Sequence, residues 1–201
     1  MTSFCVIGSG ISGATIANLL SKKYSVDLYD KARGPGGRSS HKRLDKFRGF
    51  DHGAQYISPK SLTFKKFTKN LINKKILKIW NGEHKFLSLN IKENKKHIKI
   101  IGRKGNNDIS KYLLKHINCY FGKEVKKINF ENKNWRLTFN NGEIKNYDNL
   151  ILTCPFPQLR KLSKKYINHS FINKKIKMDA NITVMIEIKK TDTNISSFLF
   201  N

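Results

Sequence analysis

Acidic side chains are scarce in this chain. Its 201 residues carry 14 Asp and Glu against 40 Lys and Arg, a formal net charge of +26. Such an excess reads either as an electrostatic footprint for a polyanion or as compositional bias. The lysines are scattered singly and in pairs with no block of five or more, Asn and Ile are abundant throughout, and Arg is scarce. That distribution favours bias over a specific nucleic-acid surface. Cysteine is also sparse. Cys5, Cys119 and Cys154 lie far apart in apolar runs, which excludes a disulfide framework and any metal-ligand spacing and leaves buried small hydrophobes. No apolar run approaches membrane-spanning length. The first one breaks at Gly8 without a basic segment before it, so it is not a signal peptide. A soluble cytoplasmic protein is the expectation. A hydrophobic content of 38% is low but sufficient for a core, and the length allows one domain or a domain and a half.

What is present is concentrated in residues 4–38. Phe4-Cys5-Val6-Ile7 ends in Gly8-Ser9-Gly10-Ile11-Ser12-Gly13. A helical pattern follows to Leu20, and then a second apolar strand, Ser25 to Asp30. A buried parallel strand, G-x-G-x-x-G, a helix and an acid after the next strand form the context in which this fingerprint binds a dinucleotide. Gly8 permits the tight turn. Gly10 leaves the backbone open to a pyrophosphate, and Gly13 lets the helix pack on the strand. Ser9, Ile11 and Ser12 offer backbone N–H groups at the positive helix N-terminus. Asp30 can accept ribose hydroxyls.

After Asp30 the chain reads Lys31-Ala32-Arg33-Gly34-Pro35-Gly36-Gly37-Arg38, and later Phe50-Asp51-His52-Gly53-Ala54-Gln55-Tyr56. With these two motifs the chain resembles the flavin amine oxidase superfamily, and within it the bacterial renalase-like FAD-dependent NAD(P)/amine oxidoreductases, from about Ser3 to about Ile188. The resemblance implies an α/β fold: a discontinuous Rossmann-like FAD-binding domain with an inserted β-rich substrate domain. It divides the chain into 1–56 (FAD-binding, first segment), 57–118 (start of the substrate domain and a linking helix), 119–158 (FAD-binding, return segment) and 159–201 (substrate domain, incomplete). It implies FAD as cofactor, a reduced nicotinamide dinucleotide or an amine as small-molecule substrate, and dioxygen as acceptor. Gly37 and Arg38 would approach the phosphates or ribityl chain, and Lys31 is a further cofactor-binding candidate. Gly53, Ala54, Gln55 and Tyr56 would lie beside the flavin, and Val125 would contact the adenine through its backbone. His52 is expected to be a hydrogen-bonding scaffold residue rather than a base. No catalytic residue, metal site, membrane partner or oligomeric state is assigned.

The remaining elements are read from pattern. A hairpin or loop is expected over 39–49, a helix over Pro59 to Asn73, and strands Ile76 to Trp80 and Lys85 to Leu89 around an Asn81-Gly82 turn. Ile98 to Ile101 is a strand and Asp108 to Ile117 an Asn- or Asp-capped helix. Strands follow at Cys119 to Phe121, Glu124 to Phe130, Trp135 to Phe139, Glu143 to Tyr147 and Asn149 to Thr153. A helix is expected over Leu159 to Tyr166 and a strand over Ile182 to Ile188. The second flavin motif of the resembling family is not found, so the chain reads as a fragment of a longer protein, poorly soluble alone. The rival readings are a degenerate non-catalytic dinucleotide-binding chain, a nicotinamide-dependent Rossmann dehydrogenase, and a non-enzymatic basic protein.

Overall fold

The computed structural model describes residues 1–46, 48–81, 83–86, 98–168, 170, 176–179, 182–186 and 195–199. A four-stranded parallel sheet organises it, in the order β12-β1-β2-β8. Here β1 is Ser3–Ile7, β2 Ser25–Asp30, β8 Asn118–Phe121 and β12 Asn149–Leu152. The helix α1, Ile11–Leu20, connects β1 to β2. β1 is central and covered on both faces, which is why its sequence is a continuous apolar run. Strand alternation divides its side chains. Val6 joins Val26, Leu28, Ala14 and Ala17 in one core cluster, while Cys5 and Ile7 join Tyr29, Val125, Leu137 and Tyr147 in the other.

The first cluster also takes in residues from four more elements: α2 (Leu62–Asn73), β5 (Leu77–Ile79), β7 (Ile100–Gly102) and α3 (Asp108–Leu113). Leu71, Leu77, Ile100, Ile109 and Leu113 are its buried contributions from these elements. Full burial of each such aliphatic side chain stabilises by about 1.5–3 kcal/mol. α2 begins at Leu62 rather than at Pro59, because the Ser61 hydroxyl accepts the Phe64 N–H at 3.2 Å and caps it there. α3 is shorter than its apolar pattern. It closes at Leu113, and tighter turns carry the chain to Ile117. Its Asn107 cap position makes no side-chain capping bond.

On the other face lies an antiparallel meander. β9 (Val125–Glu131), β10 (Asn134–Phe139) and β11 (Ile144–Tyr147) pair in the order β11-β10-β9. A buried polar link joins it to the parallel sheet. The Tyr29 and Tyr147 hydroxyls lie 2.6 Å apart, and Tyr147 donates to Asp27 at 2.7 Å. The short antiparallel pair β3 (His41–Arg43) and β4 (Gly49–Asp51) fills the expected 39–49 hairpin.

Three expectations are corrected. β5 does not turn back on the next strand; it pairs with β7 across a long excursion. Leu77 and Ile100, 1% and 3% exposed, bury together, and that burial overrides the local Asn-Gly turn signal. Gly82 and Leu87 to Leu89 lie outside the described residues, and β6 (Glu83–Phe86) pairs in parallel with β13 (Ile195–Leu199). The helix expected over Leu159 to Tyr166, α4, runs Phe156–Ser163, earlier than expected, since Pro155 and Pro157 fit its cap and first turn. Residues 182–186 form no strand: Ile182, Val184 and Ile186 are 91%, 76% and 70% exposed. No described strand pairs with them in a ladder, and β-propensity alone makes no strand. Glu187 and Ile188 lie outside the described residues.

Candidate functional site

The site forms where β1 meets α1. The chain leaves β1 through Gly8 at φ +108°, a conformation open to glycine, with the Gly8 N–H on the Tyr29 carbonyl at 2.9 Å. Thr153, just past β12, donates its hydroxyl to the Ile7 carbonyl at 2.9 Å and fixes the other side of the turn. α1 rests directly on this turn, since a Cβ on Gly13 would overlap the Gly8 carbonyl oxygen. Gly10 differs. A Cβ there would meet nothing closer than Gly36 and Gly37 backbone atoms at 3.9 Å, so the surface over it is an open cradle. The first N–H groups of α1, at Ile11, Ser12 and Gly13, have no acceptor within the helix, and no acid occupies its first turn.

Asp30 is organised by Ser9. The buried Ser9 donates its N–H at 2.7 Å and its hydroxyl at 2.5 Å to one Asp30 oxygen. Ala32 N–H donates to the other at 2.8 Å. The Ser9 N–H, expected to face phosphates, is therefore committed to Asp30. A carboxylate has about four acceptor positions, so Asp30 keeps one for a hydroxyl. Beyond it, Lys31 is exposed. The Gly122 and Lys123 N–H groups bond Ala32 and Asp30 carbonyls at 2.9 and 3.0 Å, which brings the start of β9, with its buried Val125, to this end of the site.

The two later motifs fold onto the same turn. Gly36 N–H donates to the Ser9 carbonyl at 3.0 Å, and Gly10 and Gly36 form a parallel bridge. Gly36 and Gly37 hold φ +140° and +53°, which explains the paired glycines. Arg38 is exposed, and its guanidinium bonds none of the described residues. Its carbonyl accepts the Ala54 N–H at 2.7 Å, and a Cβ on Gly53 would overlap that carbonyl. This close approach and this bond hold Gly53, Ala54 and Gln55, all exposed, against Arg38. Tyr56 is half-buried, with its ring 6.2 Å from that of Trp80. His52 bonds the Ser40 hydroxyl at 3.2 Å through Nε2 and accepts the Thr183 hydroxyl at 3.0 Å through its carbonyl, consistent with a scaffold residue.

Sequence reading missed Asn106, which is 0% exposed. Its amide donates to the Ala54 and Gln55 carbonyls at 2.7 and 2.9 Å, its side-chain oxygen accepts the Gly102 N–H at 2.9 Å, and its own N–H bonds Asp51 at 2.8 Å. Asp51 also pairs with His41 Nδ1 at 3.0 Å. Asn107 beside it donates to the Pro35 carbonyl at 3.2 Å. Gly105-Asn106-Asn107 carries only a loop signal, and nothing in its composition marks a buried hub. Cys154 is near Asp30 and Lys31; burial, then Asp30, push its thiol up, partly offset by its own backbone N–H and by Lys31. A separate cleft of about 1210 Å³ beside α4, lined by Arg160, Lys164 and Tyr166 among others, shares no residue with this site.

Strand, glycine turn, helix, strand and ordered acid define a Rossmann-like dinucleotide-binding fold on a parallel sheet. Residues 6–71 match the family described as NAD(P)-binding Rossmann-like domain. The chain is similar to renalase from Mus musculus, at 26% identity over 179 residues, which are 84% of this chain and 51% of the renalase. It thus spans about half the length of that curated relative. Two solved structures share the fold. Tetracycline destructase Tet(51) has a TM-score of 0.54 at 18% identity, over 81% of this chain and 41% of its own. A protein from Exiguobacterium sp. 255-15, provisionally assigned as a protoporphyrinogen oxidase, has a TM-score of 0.60 at 11% identity, over 81% and 61%.

Proposed function

We propose that this chain carries the dinucleotide-binding part of an FAD-dependent oxidoreductase of the renalase-like, amine oxidase type, acting on a reduced nicotinamide-type or amine substrate in the cytoplasm. The observation that carries the reading is the convergence of three stretches distant in sequence. The Gly8–Gly13 turn, Gly36-Gly37-Arg38 and Gly53 meet in backbone contacts too close for side chains at Gly13 and Gly53. A simple nicotinamide dehydrogenase does not need the second and third.

The residues present fit the cofactor. The open face of Gly10 and the free N–H groups at the start of α1 suit a pyrophosphate. Ile11 and Ser12 would donate to it, and the exposed Arg38 guanidinium would pair with a phosphate, with Lys31 adding charge at the same end. Asp30, held in place by Ser9, would accept an adenosine ribose hydroxyl, and the Val125 backbone would meet the adenine. Gly53, Ala54, Gln55 and Tyr56 would run beside the ring. When bound, the flavin supplies the acceptor for a hydride from a C–H bond next to nitrogen, with dioxygen as the terminal oxidant. The chain's own residues bind and orient. Its net positive charge steers anionic nucleotides toward it.

An absorbance spectrum after incubation with FAD and desalting tests this. Retained visible bands of oxidised flavin are expected. A folded, colourless chain that binds NAD instead would replace the reading with a nicotinamide-dependent one.

A further inference from the structure

Lys99 stands immediately before β7, whose Ile100 exchanges two backbone hydrogen bonds with Ile57, at 2.7 and 2.9 Å. That pairing sets Lys99 beside Tyr56. Its ammonium lies 4.9 Å from the centre of the Tyr56 ring. The residue is 6% exposed, and Nζ is shielded from solvent with no hydrogen-bond partner among the described residues. The Lys99 carbonyl accepts the Trp80 N–H at 2.8 Å, so the backbone beneath this cation is tied on both sides.

A buried ammonium loses its hydration, and the face of an aromatic ring returns only part of that loss. The position calls for a negative charge. No carboxylate of the described residues pairs with Lys99. Tyr56, over which the ammonium sits, ends the stretch that the proposed function places beside the flavin ring. An anion arriving there would meet the positive potential that Lys99 imposes through Tyr56, whereas a protonated amine would be repelled across a poorly screened gap.

We propose that Lys99 sets the charge preference on the ring side of this site, selecting a small-molecule substrate that bears a phosphate or carboxylate and rejecting a cationic amine. The inference rests on the proposed function only in taking Tyr56 as a wall of the ligand site. It separates the two substrate classes left open there in favour of a reduced nicotinamide nucleotide. Lys99 acts through Tyr56 as a positioning residue.

The test uses the whole chain with Trp135→Phe, so that Trp80 becomes its single tryptophan. Trp80 emission is followed on titration with reduced nicotinamide mononucleotide and, separately, with benzylamine. FAD retention is measured on the same protein. A saturable response to the nucleotide is expected, weakened about tenfold in Lys99→Met and held within about threefold in Lys99→Arg. Benzylamine should give no saturable response in the parent and acquire one in Lys99→Met. Because Lys99→Met removes a buried charge with no partner among the described residues, its melting temperature should hold or rise. The proposal is overturned by equal nucleotide affinity in Lys99→Met, by benzylamine binding the parent as tightly as the nucleotide, or by the absence of any saturable nucleotide response. It is overturned equally by a large fall in melting temperature, which would mean that an acid of the chain already neutralises the ammonium. Failure to retain FAD would sink the flavin reading alone and leave the Trp80 titration to decide this one.

Discussion

Ser9 and Asp30 form a two-bond clamp: the backbone N–H and hydroxyl of Ser9 both end on Oδ2 of Asp30, at 2.7 and 2.5 Å. The clamp joins the glycine turn after β1 to the end of β2, so the acid is oriented before any ligand arrives. Ser9→Ala should leave the N–H bond and remove the hydroxyl, which costs about 1–2 kcal/mol for a charge-assisted bond. Asp30→Ala should remove both bonds and the ribose acceptor. The expected order of FAD affinity is wild type, Ser9→Ala, then Asp30→Ala, read by fluorescence titration. Equal affinity in all three would remove Asp30 from the site.

Gly10 and Gly13 separate binding from folding. A Cβ at Gly13 would collide with the Gly8 carbonyl oxygen, whereas one at Gly10 meets only ordinary contacts. Gly13→Ala should force α1 off the turn and cost about 1–3 kcal/mol, as overpacking does. Gly10→Ala should change urea stability by less than about 0.5 kcal/mol yet weaken dinucleotide binding, because its methyl group would stand where the pyrophosphate passes. A Gly10→Ala chain that binds FAD like the parent would show that the cradle over α1 is not used.

Asn106 carries the support of the ring-side stretch. Truncation to Ala would strand the Ala54 and Gln55 carbonyls and the Gly102 N–H, all bonded to its side chain. The expected loss is about 2–4 kcal/mol, summing roughly one to three kcal/mol per abandoned buried group with partial recovery by water. Urea denaturation measures it. Hydrogen exchange should also rise locally at residues 53–57, and protection there unchanged from the parent would mean that the Arg38 contacts suffice.

The turn, its helix and the acid after β2 were legible because each is set by local chemistry: an apolar run, glycines at fixed offsets, and an acid at a strand end. The convergence of Gly36, Gly37 and Gly53 on that turn was reached through resemblance, since no periodicity brings residues so far apart together. Asn106 and Lys99 were invisible because their roles depend on burial in the folded chain. An Asn in a polar loop and a Lys in a lysine-rich sequence look solvated. The pairing expected between β5 and the strand after it failed for the same reason in reverse. Its local signal was strong, but Leu77 found better burial against Ile100. Of the strand expected over Ile182 to Ile188, the described residues 182–186 form none, because alternation makes a strand only where a ladder partner takes up its backbone groups.

Alkaline pH should loosen the contact between the parallel sheet and the meander. Burial pushes the Tyr29 hydroxyl from its ordinary 10 to about 12, a rise that its hydrogen bond with Tyr147 partly offsets. Burial first, then the bonds to Tyr29 and Asp27, raise Tyr147 further still. The Cys119 thiol moves from 9 to about 11, by burial and the nearby Asp27. In each case the folded chain holds a proton that the unfolded chain releases earlier. The unfolded state therefore binds fewer protons in this range, and stability falls as pH rises. The stabilisation is complete below about pH 9 and is lost progressively as pH rises from there; the Cys119 and Tyr29 contributions are lost by about pH 11 and 12, and that of Tyr147 only above them. Melting temperature against pH should show this decline. Tyr147→Phe should flatten its upper part while lowering stability at neutral pH, since the Asp27 carboxylate loses its 2.7 Å donor. A Tyr147→Phe profile parallel to that of the parent would mean that these hydroxyls stay accessible to solvent and do not drive the transition.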